Sequence, residues 1–136
     1  MALHASPHLR HAAGLFRCLA AAAIAVAATA AAAQSIAVDV ESAQAAYDSR
    51  TNQPLITFKM TETSARLFAE LTANNVGRKM EIRVDGRALM APVIREPILG
   101  GSGTVSDPAW TIQQARDVAE RISTGRAKIE FQILDN

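Results

Sequence analysis

The chain has 136 residues with 14 basic and 13 acidic side chains, so its net charge is +1. All of its histidines and its one cysteine lie in the first 20 residues. The remainder therefore has no Ser-His or Cys-His nucleophilic pair, no disulfide and no zinc site with the usual ligands. A charge so near zero gives no electrostatic case for nucleic acid or an anionic membrane surface. We expect no enzyme activity, no metal and no cofactor.

The first 33 residues have the pattern of a signal peptide. Two arginines precede an uncharged stretch, Leu19–Ala33, which ends in small alanines. We expect cleavage between Ala33 and Gln34, leaving a domain over residues 34–136 with net charge −1, because two arginines and no acidic residue are removed. A retained anchor is the alternative, but a membrane span needs about 20 strongly apolar residues, and this stretch is shorter and mostly alanine. The sequence thus predicts a periplasmic or secreted domain without a stable membrane span.

Alternating apolar and polar residues predict two strands before the first helix. The first is Ile36–Val40, with a continuation towards Tyr47, and the second is Ile56–Met60. A polar turn separates them, which favours a hairpin. Helical periodicity then extends from Thr61 to Val76, and Gly77 is placed to end this helix in a left-handed conformation.

A second hairpin is predicted from Met80–Val84 and Arg87–Ile94. Asp85 and Gly86 supply the two positive φ angles that its tight turn requires. Pro92 has no amide donor and marks either an edge strand or the end of the strand.

The last part of the chain predicts a helix between two strands. Gly100 and Gly101 are expected to form a turn or bulge before a short strand near Thr104–Ser106. A helix follows, capped by Thr111 with Gln114 and ended by Gly125, and Ile129–Ile133 is the closing strand. The order ββαβββαβ predicts an α+β sandwich of the ferredoxin-like type, with two helices on one face of an antiparallel or mixed sheet.

Five short motifs resemble a known family in their order and spacing. They are Leu71-Thr72, Asn75-Val76-Gly77, Val84-Asp85-Gly86, Ala91-Pro92-Val93-Ile94 and Ile98-Leu99-Gly100-Gly101. Together they are similar to the head subdomain of the first periplasmic domain of SecD, a protein-export subunit, over roughly Pro54–Arg126. The resemblance implies the fold of that head, a grip on unfolded exported polypeptide, and Sec translocon components as further partners. The membrane spans and base subdomain of SecD have no counterpart in these residues, so a translocation channel is not implied.

The segment Arg87–Ile94 is the candidate for partner binding. Met90, Pro92 and Ile94 alternate onto one face of the predicted strand, and Leu89, Ala91 and Val93 onto the other. Since both faces cannot cover one core, either other segments cover both, or one set forms an exposed patch suited to strand addition or peptide capture. Trp110 is either a staple at the start of the second helix or an exposed aromatic anchor.

Two function classes remain. The preferred one is a non-catalytic periplasmic binding module that holds extended exported polypeptide, or docks on the export machinery, through Arg87–Ile94 and the loop after it. The alternative is a stand-alone envelope interaction or stress domain that kept the fold and binds a different ligand.

Overall fold

The computed structural model describes residues 34–135, which form seven strands and two helices. The strands are β1 (Ser35–Val38), β2 (Val40–Tyr47), β3 (Pro54–Met60), β4 (Met80–Val84), β5 (Arg87–Met90), β6 (Ser102–Ser106) and β7 (Ile129–Ile133). The helices are α1 (Glu62–Ala73) and α2 (Ile112–Ser123). All named strand pairs are antiparallel, and the predicted α+β class is confirmed. The predicted signal peptide lies outside the described residues.

The strands form two sheets, which differs from the single sheet predicted. The first has the order β1-β7-β4-β5 and the second β2-β3-β6. The difference arises at Asp39, where the predicted first strand breaks. The Asp39 N–H donates to the Ser64 hydroxyl at 2.9 Å, and its carbonyl accepts the Thr61 N–H at 2.9 Å. Because the start of α1 takes both backbone groups, the chain leaves one sheet at this residue and enters the other.

Each helix begins at a threonine cap, of which the sequence predicts the one at Thr111. The Thr61 side chain accepts the Ser64 N–H, and Thr111 and Gln114 form a reciprocal capping box. The first helix ends at Ala73, earlier than the predicted Val76, and a turn fills the residues up to Gly77.

The core lies between the sheets and the helices. The Phe131 ring in β7 is 4.4 Å from the Phe68 ring of α1 and 6.4 Å from the Phe58 ring of β3, measured between centroids. These contacts tie the first helix and both sheets together. The second helix packs on β2 and β3 through a buried face of small and aliphatic residues, namely Ala115, Ala119 and Ile122.

Most of the predicted turn residues have left-handed backbone. Positive φ angles occur at Gly77 (89°), Asp85 (51°), Gly86 (76°), Gly101 (66°) and Gly125 (74°). Gly100 is not among the residues with positive φ, and a Cβ at this position would meet no atom within 4 Å. The bend at the Gly100-Gly101 pair therefore depends on the second glycine.

Candidate functional site

The strand proposed for partner binding contains a β-bulge. Ile82 pairs with Met90 and Arg83 with Ala88, so Leu89 has no partner in β4. Simple alternation places Leu89 and Met90 on opposite faces, but both are half-buried against the core. The bulge is the reason, because an extra residue resets the alternation of side chains along a strand.

Beyond Met90 the chain runs beside the residues that precede β4. The Met80 N–H donates to the Pro92 carbonyl at 2.9 Å, and the Ile94 N–H donates to the Arg78 carbonyl at 2.9 Å. Pro92 is exposed, whereas the Ile94 side chain is only 3% exposed and belongs to the core. Met90, Pro92 and Ile94 therefore do not form one exposed apolar face, which contradicts the alternative of an exposed patch on these three residues.

Arg87 and Trp110 lie near each other but outside the apolar core. The Arg87 guanidinium is 2.8 Å from the carboxylate of Asp107, which is 8% exposed, so this ion pair links the start of β5 to the residue after β6. The Trp110 side chain is half-buried against the core. Both residues border a depression of about 300 Å³ together with Val84, Leu89 and Val118.

Strand β6 has one edge without a strand partner among residues 34–135. The Met60 N–H donates to the Gly101 carbonyl at 2.8 Å, which fixes the alternation of the β3–β6 ladder. Gly103 and Val105 consequently direct their N–H and C=O towards β3. The β6 residues that direct these groups away from β3 are Ser102, Thr104 and Ser106. This row is a template for another extended chain.

The opposite edge of the same sheet is closed at its centre. The Ser123 hydroxyl of α2 accepts the Ala43 N–H of β2 at 3.1 Å and donates to the Ala43 carbonyl at 3.0 Å. One side chain thus takes both backbone groups that Ala43 directs away from β3. Covering an edge with a helix is a usual protection against unwanted strand pairing.

An apolar cavity of about 220 Å³ lies beside the β6 edge. Its lining joins the aromatic core to the backbone of β6 and consists of Phe58, Phe68, Met80, Ile82, Met90, Pro92, Ile98, Ser102, Gly103, Thr104 and Phe131. Met90 and Pro92, two of the residues singled out from the sequence, are therefore part of it. We define the β6 edge site as the outward backbone of Ser102, Thr104 and Ser106 together with this cavity.

The loop before β6 is anchored and carries an exposed leucine. The Ile98 N–H donates to the Thr72 hydroxyl at 2.9 Å, and this hydroxyl itself donates to the Phe68 carbonyl of α1 at 3.0 Å. Leu99, the next residue, is 76% exposed. The buried Thr72 thus fixes one end of the loop, while an apolar side chain faces solvent beside it.

The outer surface around β6 is polar. Side chains of all three strands form a shallow concave region there, with a volume of about 500 Å³, lined mainly by Ser42, Gln44, Thr57, Lys59, Ser102 and Thr104. The Lys59 ammonium is 3.0 Å from the Glu41 carboxylate, and both side chains are well exposed. The inner face of β6 is therefore apolar, and its outer face is polar.

Residues 20–128 match the sequence profile of the family described as SecDF, P1 head subdomain. The chain belongs to this family. The predicted resemblance to the SecD head is thereby confirmed, and the domain is a P1 head of the kind found in protein-export subunits.

Curated relatives of the chain are protein translocase subunits. The protein translocase subunit SecD of Acidaminococcus fermentans is 33% identical over 98 residues, which is 72% of this chain and 23% of that protein. SecD of Calditerrivibrio nitroreducens is 34% identical over 94 residues, 69% of this chain and 18% of that protein. The chain thus spans about a fifth of the length of these relatives.

Solved structures agree with the family. The structure described as "Structure and function of a membrane component SecDF that enhances protein export" has a TM-score of 0.58 and 30% identity, over 63% of this chain and 38% of that one. The crystal structure of SecDF in its super-membrane-facing form also has a TM-score of 0.58, with 29% identity over 67% of this chain and 13% of that one. Within residues 34–135 of the present P1 head, neither helix is long and apolar enough to cross a membrane.

The β6 edge site was not identified from the sequence. The prediction placed the site on Arg87–Ile94, and only Met90 and Pro92 border the cavity. A weak signal existed in Ser102–Ser106, which has neither a charge nor a proline to discourage strand pairing at an edge.

Proposed function

We propose that this P1 head is a non-catalytic binding module of protein export that acts in the periplasm and holds an extended segment of exported polypeptide at the β6 edge site. The open backbone of Ser102, Thr104 and Ser106 carries this proposal. Two comparisons with other proteins also support the proposal. The matched relatives are translocase subunits, and one matched structure is of a component that enhances protein export.

Strand addition suits a carrier of many different chains. Main-chain hydrogen bonds supply affinity without regard to sequence, and neighbouring pockets add preference for side chains. Exported polypeptides that are unfolded expose both kinds of group. The closed β2 edge strengthens the argument, because the same sheet is protected at Ala43 but not along β6.

The test is a substitution that removes one outward amide. Thr104→Pro removes an N–H that the β3–β6 ladder does not use, and proline is tolerated where the N–H side of an edge strand is open. Thr104→Ala is the matched control, since it removes the same side chain and keeps the amide. We expect an unfolded precursor peptide to bind Thr104→Pro at least tenfold more weakly than Thr104→Ala, as measured by fluorescence anisotropy with circular dichroism confirming the fold.

Amide chemical shifts provide a second measurement that needs no substitution. When the ¹⁵N-labelled protein is titrated with the same peptide, we expect the amide chemical shifts of Ser102, Thr104 and Ser106 to change more than that of Ala43. No shift at millimolar peptide would reject polypeptide capture and favour the alternative, an envelope interaction domain with a different ligand.

Docking on Sec translocon components is a second candidate, favoured by the exposed apolar side chains of Val93 (44%) and Leu99 (76%). Leu99→Asp is expected to weaken association with purified translocon and leave peptide binding unchanged. Equal association of the variant and the parent would exclude this leucine as the contact.

The periplasmic location proposed here depends on cleavage between Ala33 and Gln34. Intact mass of the protein recovered from the periplasmic fraction is expected to correspond to a chain that begins at Gln34. A mass that begins at Met1 would contradict removal of the signal peptide.

A further inference from the structure

We infer that the β6 edge site selects extended segments in which apolar and polar residues alternate, the pattern of strands in exported β-sheet proteins, and binds them in antiparallel pairing. This inference rests on the proposed function and specifies the class of polypeptide that the site prefers.

The register of β6 determines where each ligand side chain points. An antiparallel ligand exchanges hydrogen bonds with Ser102, Thr104 and Ser106, and residues directly opposite one another in a ladder project to the same face. Ligand residues opposite these three positions therefore project to the outer face. Those opposite Gly103 and Val105 project inwards.

The inner positions are apolar. Val105 is fully buried, and Gly103 lies beside the cavity of about 220 Å³ that contains Met90, Pro92 and Ile98. The Phe58 ring covers Gly103 from the β3 side, so the ligand residue opposite this glycine meets the edge of that ring and the cavity beside it. A large aliphatic or aromatic side chain is the chemistry that fits this surface.

The outer positions are polar. Thr57 stands across the ladder from Thr104, and Lys59 from Ser102, and all four residues are exposed. A polar ligand residue opposite Thr104 forms cross-strand contacts with hydroxyl groups there. An apolar ligand residue at this position stays in contact with water and contributes no binding energy. In a uniformly apolar segment, only the side chains that project inwards therefore contribute to binding.

Antiparallel pairing follows from the sheet itself. Both existing ladders of the β2-β3-β6 sheet are antiparallel. A further antiparallel strand continues this hydrogen-bond pattern, and antiparallel pairs are slightly more stable per residue than parallel ones.

The test compares two capped seven-residue peptides of identical composition, with apolar and polar residues either alternating or grouped into blocks. We expect the alternating peptide to bind the full protein at least tenfold more tightly and to shift the amides of Ser102, Thr104 and Ser106. Equal affinity would overturn the preference for alternation and leave strand addition intact. Binding of neither peptide, nor of the longer unfolded precursor, would reject the proposed function itself.

N-methylation of the alternating peptide tests the register without changing the protein. Methyl groups on the polar residues block the amides that face β6, so binding is expected to be lost. Methyl groups on the apolar residues block amides that face away, and affinity is expected to change less than threefold. If methylation of the apolar residues weakens binding as much, the register inferred here is wrong.

Concentration-dependent self-association of the protein that the peptide does not reverse would assign the edge to a second copy of the chain and also overturn the inference.

Discussion

Gly103 determines the space on the inner side of the β6 edge. A Cβ atom at this position would lie 2.8 Å from the Phe58 ring, closer than side-chain carbons approach one another. We predict that Gly103→Ala lowers the free energy of unfolding by about 1–3 kcal/mol, because an added methyl group in a packed core forces its neighbours to move. Urea denaturation measures the difference.

Gly100→Ala is the matched control for this prediction. The new methyl group would meet no atom within 4 Å, and the backbone at Gly100 is not left-handed. Stability is expected to stay the same or to rise by about 0.4–1 kcal/mol, since alanine restricts the unfolded chain. Equal effects of the two substitutions would show that the Phe58 ring does not limit the space at Gly103.

The structure perturbs the titration of Asp48. Its carboxylate accepts the N–H of Arg50 at 2.8 Å and of Thr51 at 3.0 Å, and these bonds hold the pKa of Asp48 below its ordinary value of 3.8. Because the pKa is lower in the folded state, the ionised carboxylate stabilises the turn at pH values above the ordinary pKa. This stabilisation is lost as the pH falls through the lowered pKa. NMR titration is expected to move the Asp48 carboxyl carbon and the Arg50 and Thr51 amides together. A carboxyl that titrates at or above its ordinary value would contradict these two hydrogen bonds.

Among the elements, β5 shows why sequence periodicity identified the strand but not its faces. Alternation correctly indicated a hairpin that starts at Met80, but its second strand ends at Met90 and not at the predicted Ile94. The Asp85-Gly86 turn has the expected positive φ angles. The bulge at Leu89 leaves no mark in the polarity pattern, because Leu89, Met90 and their neighbours are all apolar. A run without polar residues carries no information on which side chains face inwards, so alternation could not decide between a covered and an exposed face.

The β2 edge depends on a single hydroxyl group of α2. We predict that Ser123→Ala lowers the free energy of unfolding by about 1–3 kcal/mol, because the Ala43 N–H and carbonyl both lose their side-chain partner. Hydrogen exchange at the Ala43 amide is expected to become faster. Ser102→Ala is the control, since Ser102 is exposed and its side chain is not part of this closure. Unchanged exchange at Ala43 would indicate that α2 protects this edge by packing alone.

At the scale of the molecule, local patterns predicted the α+β class and nearly all elements, but not the division into two sheets. Strand alternation, the Thr111 cap and the Asp-Gly turn are local signals, and each was sufficient for its element. The break at Asp39 depends on bonds to Thr61 and Ser64, more than 20 residues away in the chain. Such a contact has no local signature. For the same reason, the open edge of β6 became recognisable only when the partner of each strand was known.

Ile94, which alternation assigns to a candidate binding face, belongs to the core of the domain. Its side chain is 3% exposed, and its backbone is bonded on both sides, to Gly77 and Arg78. We predict that Ile94→Asp costs about 3–5 kcal/mol or more, because the carboxylate is buried without a partner. Since a domain of this size is stable by about 5–15 kcal/mol, most of its stability is lost and its melting temperature falls sharply.

Leu99→Asp separates this effect from the mere introduction of charge. Leu99 is 76% exposed in the same loop, so an aspartate there stays hydrated and the melting temperature is expected to change by no more than a few degrees. Thermal denaturation followed by circular dichroism compares the two variants directly. A stable Ile94→Asp variant would mean that the segment after β5 can leave the core without unfolding the domain. Loss of peptide binding in that variant could then be assigned to the segment itself, whereas an unfolded variant carries no information about binding.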